Sequence, residues 1–98
     1  MMKGALPMPK MRIYSIFDIK AEEFSPPFFA QNDRLAQRMV TESTRGNGSM
    51  LSAYPEDFLL YRLGEFESGT GVIEPELPSI LISVKDLTKG GMKANAEN

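Results

Sequence analysis

Four arginines dominate the chemistry this sequence offers. Arg34, Arg38 and Arg45 fall at i, i+4 and i+11, so on a helix they share one face, and Arg62 lies in a later segment with Lys85 beyond it. A guanidinium presents its donors in a rigid fork that matches a phosphate, so the set reads as a row of phosphate contacts. Phe28 and Tyr14 are the candidate stacking groups for unpaired bases, with Phe29, Tyr54 and Tyr61 as further aromatic surface. Each stacked base contributes about 1 to 3 kcal/mol, which offsets weak electrostatics. The competing reading is structural: Arg38 and Glu42 pair at i, i+4 on a solvated helix face, and most of the rings fill the core.

Other chemistries fall away quickly. The 98 residues contain no Cys and no His, which removes disulfides, thiol catalysis, thiolate zinc sites and the commonest general base. Asp18, Glu22 and Glu23, and again Glu56 and Asp57, bring carboxylates together as if for a divalent cation, but neighbours in an extended chain point apart. Ser68-Gly-Thr-Gly71 lacks the Gly-Lys-Ser/Thr ending of a phosphate loop and reads as a hairpin turn. No catalytic residue, metal or cofactor is expected. Lys and Arg total 11 against 13 Asp and Glu, a net charge of -2, and no apolar run approaches the ~20 residues that span a bilayer. Any polyanion surface is therefore a local patch in an unfavourable field: residues 11 to 88 hold 7 basic and 12 acidic side chains.

The elements that must position these groups follow from periodicity. Residues 1–10 and 89–98, rich in Gly, Pro, Asn and Ala, are expected to be a flexible arm and tail around one domain at 11–88. Met11 to Lys20 alternates as a strand whose buried face carries Met11, Ile13, Phe17 and Ile19. Ser25-Pro-Pro27 forms an elbow, and Asn32 caps a helix whose stripe Leu35, Ala36, Met39 and Val40 faces the core. A flexible glycine-containing loop follows Arg45. A second strand spans 58–67, a glycine turn leads into a short third at Val72 and Ile73, and Pro75 and Pro78 end it. Residues 79–87 read as a fourth strand, with a short helix as the alternative. The expected fold class is α+β, one main helix packed on a small antiparallel or mixed sheet of about four strands, in the order β-α-β-β-β.

Ordered blocks then add a family signal. Arg-Ile-Tyr-Ser-Ile-Phe-Asp-Ile-Lys-Ala at 12–21, Pro-Pro-Phe-Phe-Ala at 26–30, Tyr-Pro-Glu-Asp-Phe at 54–58, and Leu-Tyr-Arg-Leu-Gly-Glu-Phe at 60–66 with Thr-Gly at 70–71 resemble the small non-structural protein of gokushovirus-type single-stranded-DNA bacteriophages (Microviridae). The resemblance spans 11–85, and residues 1–10 depart from it because the family opens at the first strand. It implies a non-virion accessory protein of the host cytoplasm, acting in the switch from double-stranded replication to single-stranded genome synthesis, with direct DNA binding. It transfers no catalytic residues.

Two functions follow as expectations. The first is binding of single-stranded DNA or a replication complex, with Arg34, Arg38, Arg45 and Arg62 on phosphates and Phe28 and Tyr14 on bases. The second is a protein-interaction adaptor that engages the phage or host replication initiator through the acidic half, where residues 56 to 88 carry seven acidic and two basic side chains. A homo-oligomer is a further expected partner state, because this length is marginal for a single core.

Overall fold

The computed structural model describes residues 10–45 and 48–90. The chain runs β1 (Lys10–Asp18), β2 (Glu23–Phe24), β3 (Phe28–Ala30), α1 (Asp33–Ser43), α2 (Met50–Ala53), a 3-10 turn at Pro55–Asp57, β4 (Phe58–Glu67), β5 (Val72–Ser83) and α3 (Val84–Gly90). The expected arm at 1–9 and tail at 91–98 lie outside the described residues. Lys10 already pairs with Glu67 in the sheet, and α3 extends to Gly90.

The architecture corrects the expected fold class. Strands account for 47% of the structure and form one curled antiparallel half-barrel, with only short helices, in place of one main helix on a small sheet. The order is β2-β1-β4-β5, with β3 also pairing β1, and every pairing is antiparallel. Much of the discrepancy comes from the prolines. Pro75 and Pro78 lie inside a 12-residue strand at the open edge of the sheet, where a missing N–H is tolerated. The pairing with β4 jumps from Arg62↔Ser79 to Gly64↔Pro75, so Glu76, Leu77 and Pro78 bulge out of the ladder. Pro26 and Pro27 separate β2 from β3, two short segments that pair with one side of β1.

The segment 79–87 is neither of the two forms expected. Ser79–Ser83 completes β5, and Val84 begins α3. The switch has a local cause: Ser83 Oγ accepts from the backbone N–H of Asp86 at 3.1 Å, and Ser83-Val-Lys-Asp86 has the Ser-x-x-acid spacing of a capping box. Asn32 caps α1 as the sequence predicts, its Oδ1 accepting from Leu35 N at 2.9 Å. Of the expected core stripe on α1, Ala36 and Val40 are buried, whereas Leu35 and Met39 are exposed. The loop after Arg45 leads into α2, where Ser49 Oγ accepts from Leu51 N at 3.1 Å.

Direct cross-strand partners share a sheet face, and the register therefore sorts the side chains into two layers. One face carries Tyr14, Ile16, Phe58 and Leu60, which pack with Ala36 and Val40 of α1 and Val84 and Leu87 of α3 to make the core. The opposite face carries Met11, Ile13 and Phe17 of β1 with Leu59, Tyr61 and Phe66 of β4. The expected burial of β1 holds for Ile13, which is buried, and in part for half-buried Met11 and Phe17, whereas Ile19 is exposed; the second face is covered as well, with Tyr14 and Ile16 pointing into the core under the helices.

Candidate nucleic-acid interface

The site is built outward from Asp33, the first residue of α1. Its Oδ1 accepts from the Tyr14 hydroxyl at 2.7 Å and from Arg12 Nη1 at 3.3 Å, and Arg62 Nη1 lies 3.9 Å away. A carboxylate in the first turn also complements the positive end of the helix dipole. One side chain therefore ties the start of α1 to β1 and β4 and fixes how the helix presents its outer face.

That face holds the cations. Arg34 and Arg38 are both exposed and one turn apart, and among the described residues no carboxylate lies within ion-pair distance of either. The expected Arg38–Glu42 pair does not form. Glu42 instead sits 3.8 Å from Arg45, just past the helix, in an exposed contact of little energetic weight. An open groove of about 620 Å³ is lined by the apolar Met11, Ala30, Leu35 and Met39 together with Gln31, Arg38 and the carboxylate of Glu42. This explains why Leu35 and Met39 do not join the core: they floor the groove between α1 and the sheet.

The remaining predicted contacts are placed elsewhere. Arg62 is only one-fifth exposed and is surrounded by Asp33, Glu65 at 3.5 Å and Glu76 at 3.1 Å. Its Nη2 donates to Glu76 Oε2 at 3.3 Å and to Glu65 Oε2 at 3.5 Å, while its buried Nε faces Glu76 Oε1 without hydrogen-bond alignment. A guanidinium so heavily countered has no charge to spare for a phosphate. Tyr14 is fully buried and stacks on half-buried Phe28 with ring centroids 5.7 Å apart, so both belong to the core and neither is open to a base. Lys85 is exposed on α3. The carboxylates considered for a cation serve turns: Asp18 Oδ1 accepts from the N–H groups of Lys20 and Ala21 at 3.0 and 3.1 Å, and Glu56 and Asp57 form the 3-10 turn.

The exposed rings are Tyr54, at 50%, and Phe29, both among the further aromatics named from the sequence, together with Phe24. Phe24 and Phe29 are 41% and 40% exposed on the helix-free face, Phe24 meeting Phe17 and Tyr61 at 4.7 and 5.0 Å and Phe29 meeting Phe66 at 5.5 Å. The signal for them was present in the alternation of Met11, Ile13 and Phe17, whose partners across the sheet had to be equally apolar.

Burial and the hydrogen bond to Asp33 both raise the Tyr14 hydroxyl well above the ordinary tyrosine range. A raised value in the fold means that the neutral phenol is favoured there. Stability from this group is complete below the unfolded value of about 10 and is lost as pH rises through the folded one. Urea titrations from pH 8 upward should show a decline that begins near pH 10, and Tyr14→Phe should lose that part of the decline while costing about 1 kcal/mol at neutral pH. An identical alkaline profile in the variant would exclude Tyr14 as its source.

The family model described as Phage ORF5 protein matches residues 11–87, which runs from the second residue of β1 into α3. No curated protein and no solved structure matches the chain.

Proposed function

The chain belongs to the phage ORF5 protein family, which makes it a phage accessory protein, and on that premise we propose that it is a non-enzymatic, non-structural protein of a gokushovirus-type phage, working in the host cytoplasm during the switch to single-stranded genome synthesis by binding single-stranded DNA. The observation that carries the binding reading is the pair of uncountered guanidinium groups at Arg34 and Arg38, one turn apart beside an apolar groove. Their spacing suits successive phosphates of one strand, and the groove offers Met11, Leu35 and Met39 as apolar surface for a base. Arg45 lies at the end of the same helix, loosely held by Glu42. The wider field is acidic, so the affinity is modest and depends strongly on salt.

Fluorescence anisotropy with a labelled oligonucleotide tests this. Binding at low salt should weaken about tenfold for Arg34→Ala/Arg38→Ala, and the slope of log K against log salt should fall by roughly 1.4, the value for two phosphate contacts on a single strand. Absence of binding at low salt would sink the reading.

That outcome would favour the adaptor. A specific feature supports it as second reading: Leu77 is 90% exposed in the bulge at the open edge, between Glu76 and Pro78 and three residues after Glu74. A nuclease-treated pull-down from infected cells that retains a replication protein, and loses it for Leu77→Asp, would support this reading.

A further inference from the structure

The helix-free face of the sheet leaves several large apolar side chains uncovered among the described residues. Phe24, Phe29, Ile73 and Ile80 on it are 41%, 40%, 58% and 55% exposed. The pairings Ile13↔Phe29, Phe66↔Ile73 and Tyr61↔Ile80 make the layer continuous from one edge of the sheet to the other. We infer that this face is a homodimer interface, in which two copies pack their sheets against each other about a two-fold axis.

Four observations select a second copy. First, every charged side chain with a cross-strand partner, namely Lys10, Arg12, Asp18, Glu23, Arg62, Glu65, Glu67 and Glu74, falls on the other face by register. A nucleic acid would bring phosphates and needs cations beside its stacked bases, and this face supplies none. An isologous contact instead sets a patch against itself, which only an uncharged patch tolerates without like charges meeting.

Second, the buried polar group on this side, the Ser15 hydroxyl, is already satisfied: it donates to Ser25 O at 2.7 Å and lies 3.1 Å from Ser25 Oγ. The face asks for no polar partner.

Third, four large apolar side chains on one face, each between 40% and 58% exposed, form the kind of apolar centre that a specific interface of about 800 Å² a side is built around. Two such sheets meet about 10 Å apart, the ordinary spacing of a sandwich.

Fourth, the strand pattern agrees. β1 puts Met11, Ile13 and Phe17 on this face and Lys10, Arg12 and Asp18 on the other. Alternation of that kind normally marks the apolar side as the buried one; within one chain Ile13 is buried and Met11 and Phe17 are half-buried, and a partner sheet would complete the layer. It also gives a domain near the lower size limit for one core a second apolar layer.

Light scattering on the full chain without oligonucleotide tests the inference independently of any DNA binding. The wild type should have twice the chain mass, and its melting temperature should rise with protein concentration. Phe29→Glu/Ile80→Glu should have the single-chain mass at concentrations where the wild type is paired, with its far-ultraviolet circular dichroism retained. Should that variant not fold, Ile73→Lys alone, at a position 58% exposed, carries the same test. A monomeric wild type at the highest attainable concentration overturns the inference, as does a dimer whose mass is unchanged by these substitutions. A monomer whose Phe29→Glu/Ile80→Glu variant loses oligonucleotide affinity overturns it as well and assigns the face to bases.

Discussion

Asp33→Ala is expected to lower the unfolding free energy by about 3 kcal/mol. The Tyr14 hydroxyl is in a fully buried residue and donates to Asp33, so truncation leaves it without its acceptor at a cost of about 1 to 3 kcal/mol. Arg12 and Arg62 lose a shared counter-charge at the same time, and α1 loses its favourable first-turn carboxylate. The carboxylate is 36% exposed, so water screens part of the ionic loss and keeps the total below that of a fully buried pair. Asp33→Asn separates the contributions: its carbonyl oxygen can still accept from Tyr14, and the cost should fall to about 1 kcal/mol. Urea denaturation at constant m reads both values. Equal losses for the two variants would mean that charge, and not the hydrogen bond, fixes the helix. A loss below about 0.5 kcal/mol for Asp33→Ala, the range of an ordinary surface change, would mean that α1 is held by packing alone.

Gly64→Ala should be comparably damaging although it adds one carbon. A Cβ there would overlap the backbone oxygen of Glu74 and approach the Pro75 Cα to 3.1 Å. Neither atom is the free end of a side chain, so β4 and β5 would have to separate where their register already shifts. The expected cost is about 3 kcal/mol, at the upper end for overpacking, and a larger side chain such as Gly64→Val should abolish the hairpin pairing. Thermal unfolding measures it: a loss of that size lowers the melting temperature by more than 10 °C in a domain of this length, at roughly 4 to 8 °C per kcal/mol. A shift of only a degree or two for the alanine variant would show that the two strands can part without strain.

These two positions differ in how legible they were. Gly64 stands in a quoted sequence block, but its need for no side chain depends on a strand that passes it ten residues later and on a bulge that brings Glu74 close. Asp33 reads in sequence as a helix-start acid, which it is. Its contacts with Tyr14 and Arg12, 19 and 21 residues away, are set by how the chain folds back, and no local pattern encodes them. Arg62 was misread for the same reason: Glu65 is a near neighbour, but Asp33 and Glu76 arrive from α1 and β5. Local signals fared better. Asn32 as a cap, the turn between β4 and β5, and the placing of Arg34 and Arg38 on one helix surface follow from spacing alone. Ser83 with Asp86 carried an equally local capping signal that was outweighed by the β-branched residues before it. The prolines of β5 were read as stops because a sequence does not reveal which strand will lie at the rim of a sheet.

That rim has a consequence for how copies of the chain behave when they are crowded together. A long, straight outer strand invites unlimited stacking of one molecule on the next, which ends in insoluble fibre. Here Pro75 and Pro78, two residues that donate nothing, and the three-residue excursion of Glu76, Leu77 and Pro78 interrupt the outermost strand halfway along. A newcomer could not zip along its whole length. The interruption leaves the ladder with no regular template to copy, so growth by adding strands is blocked at the first step.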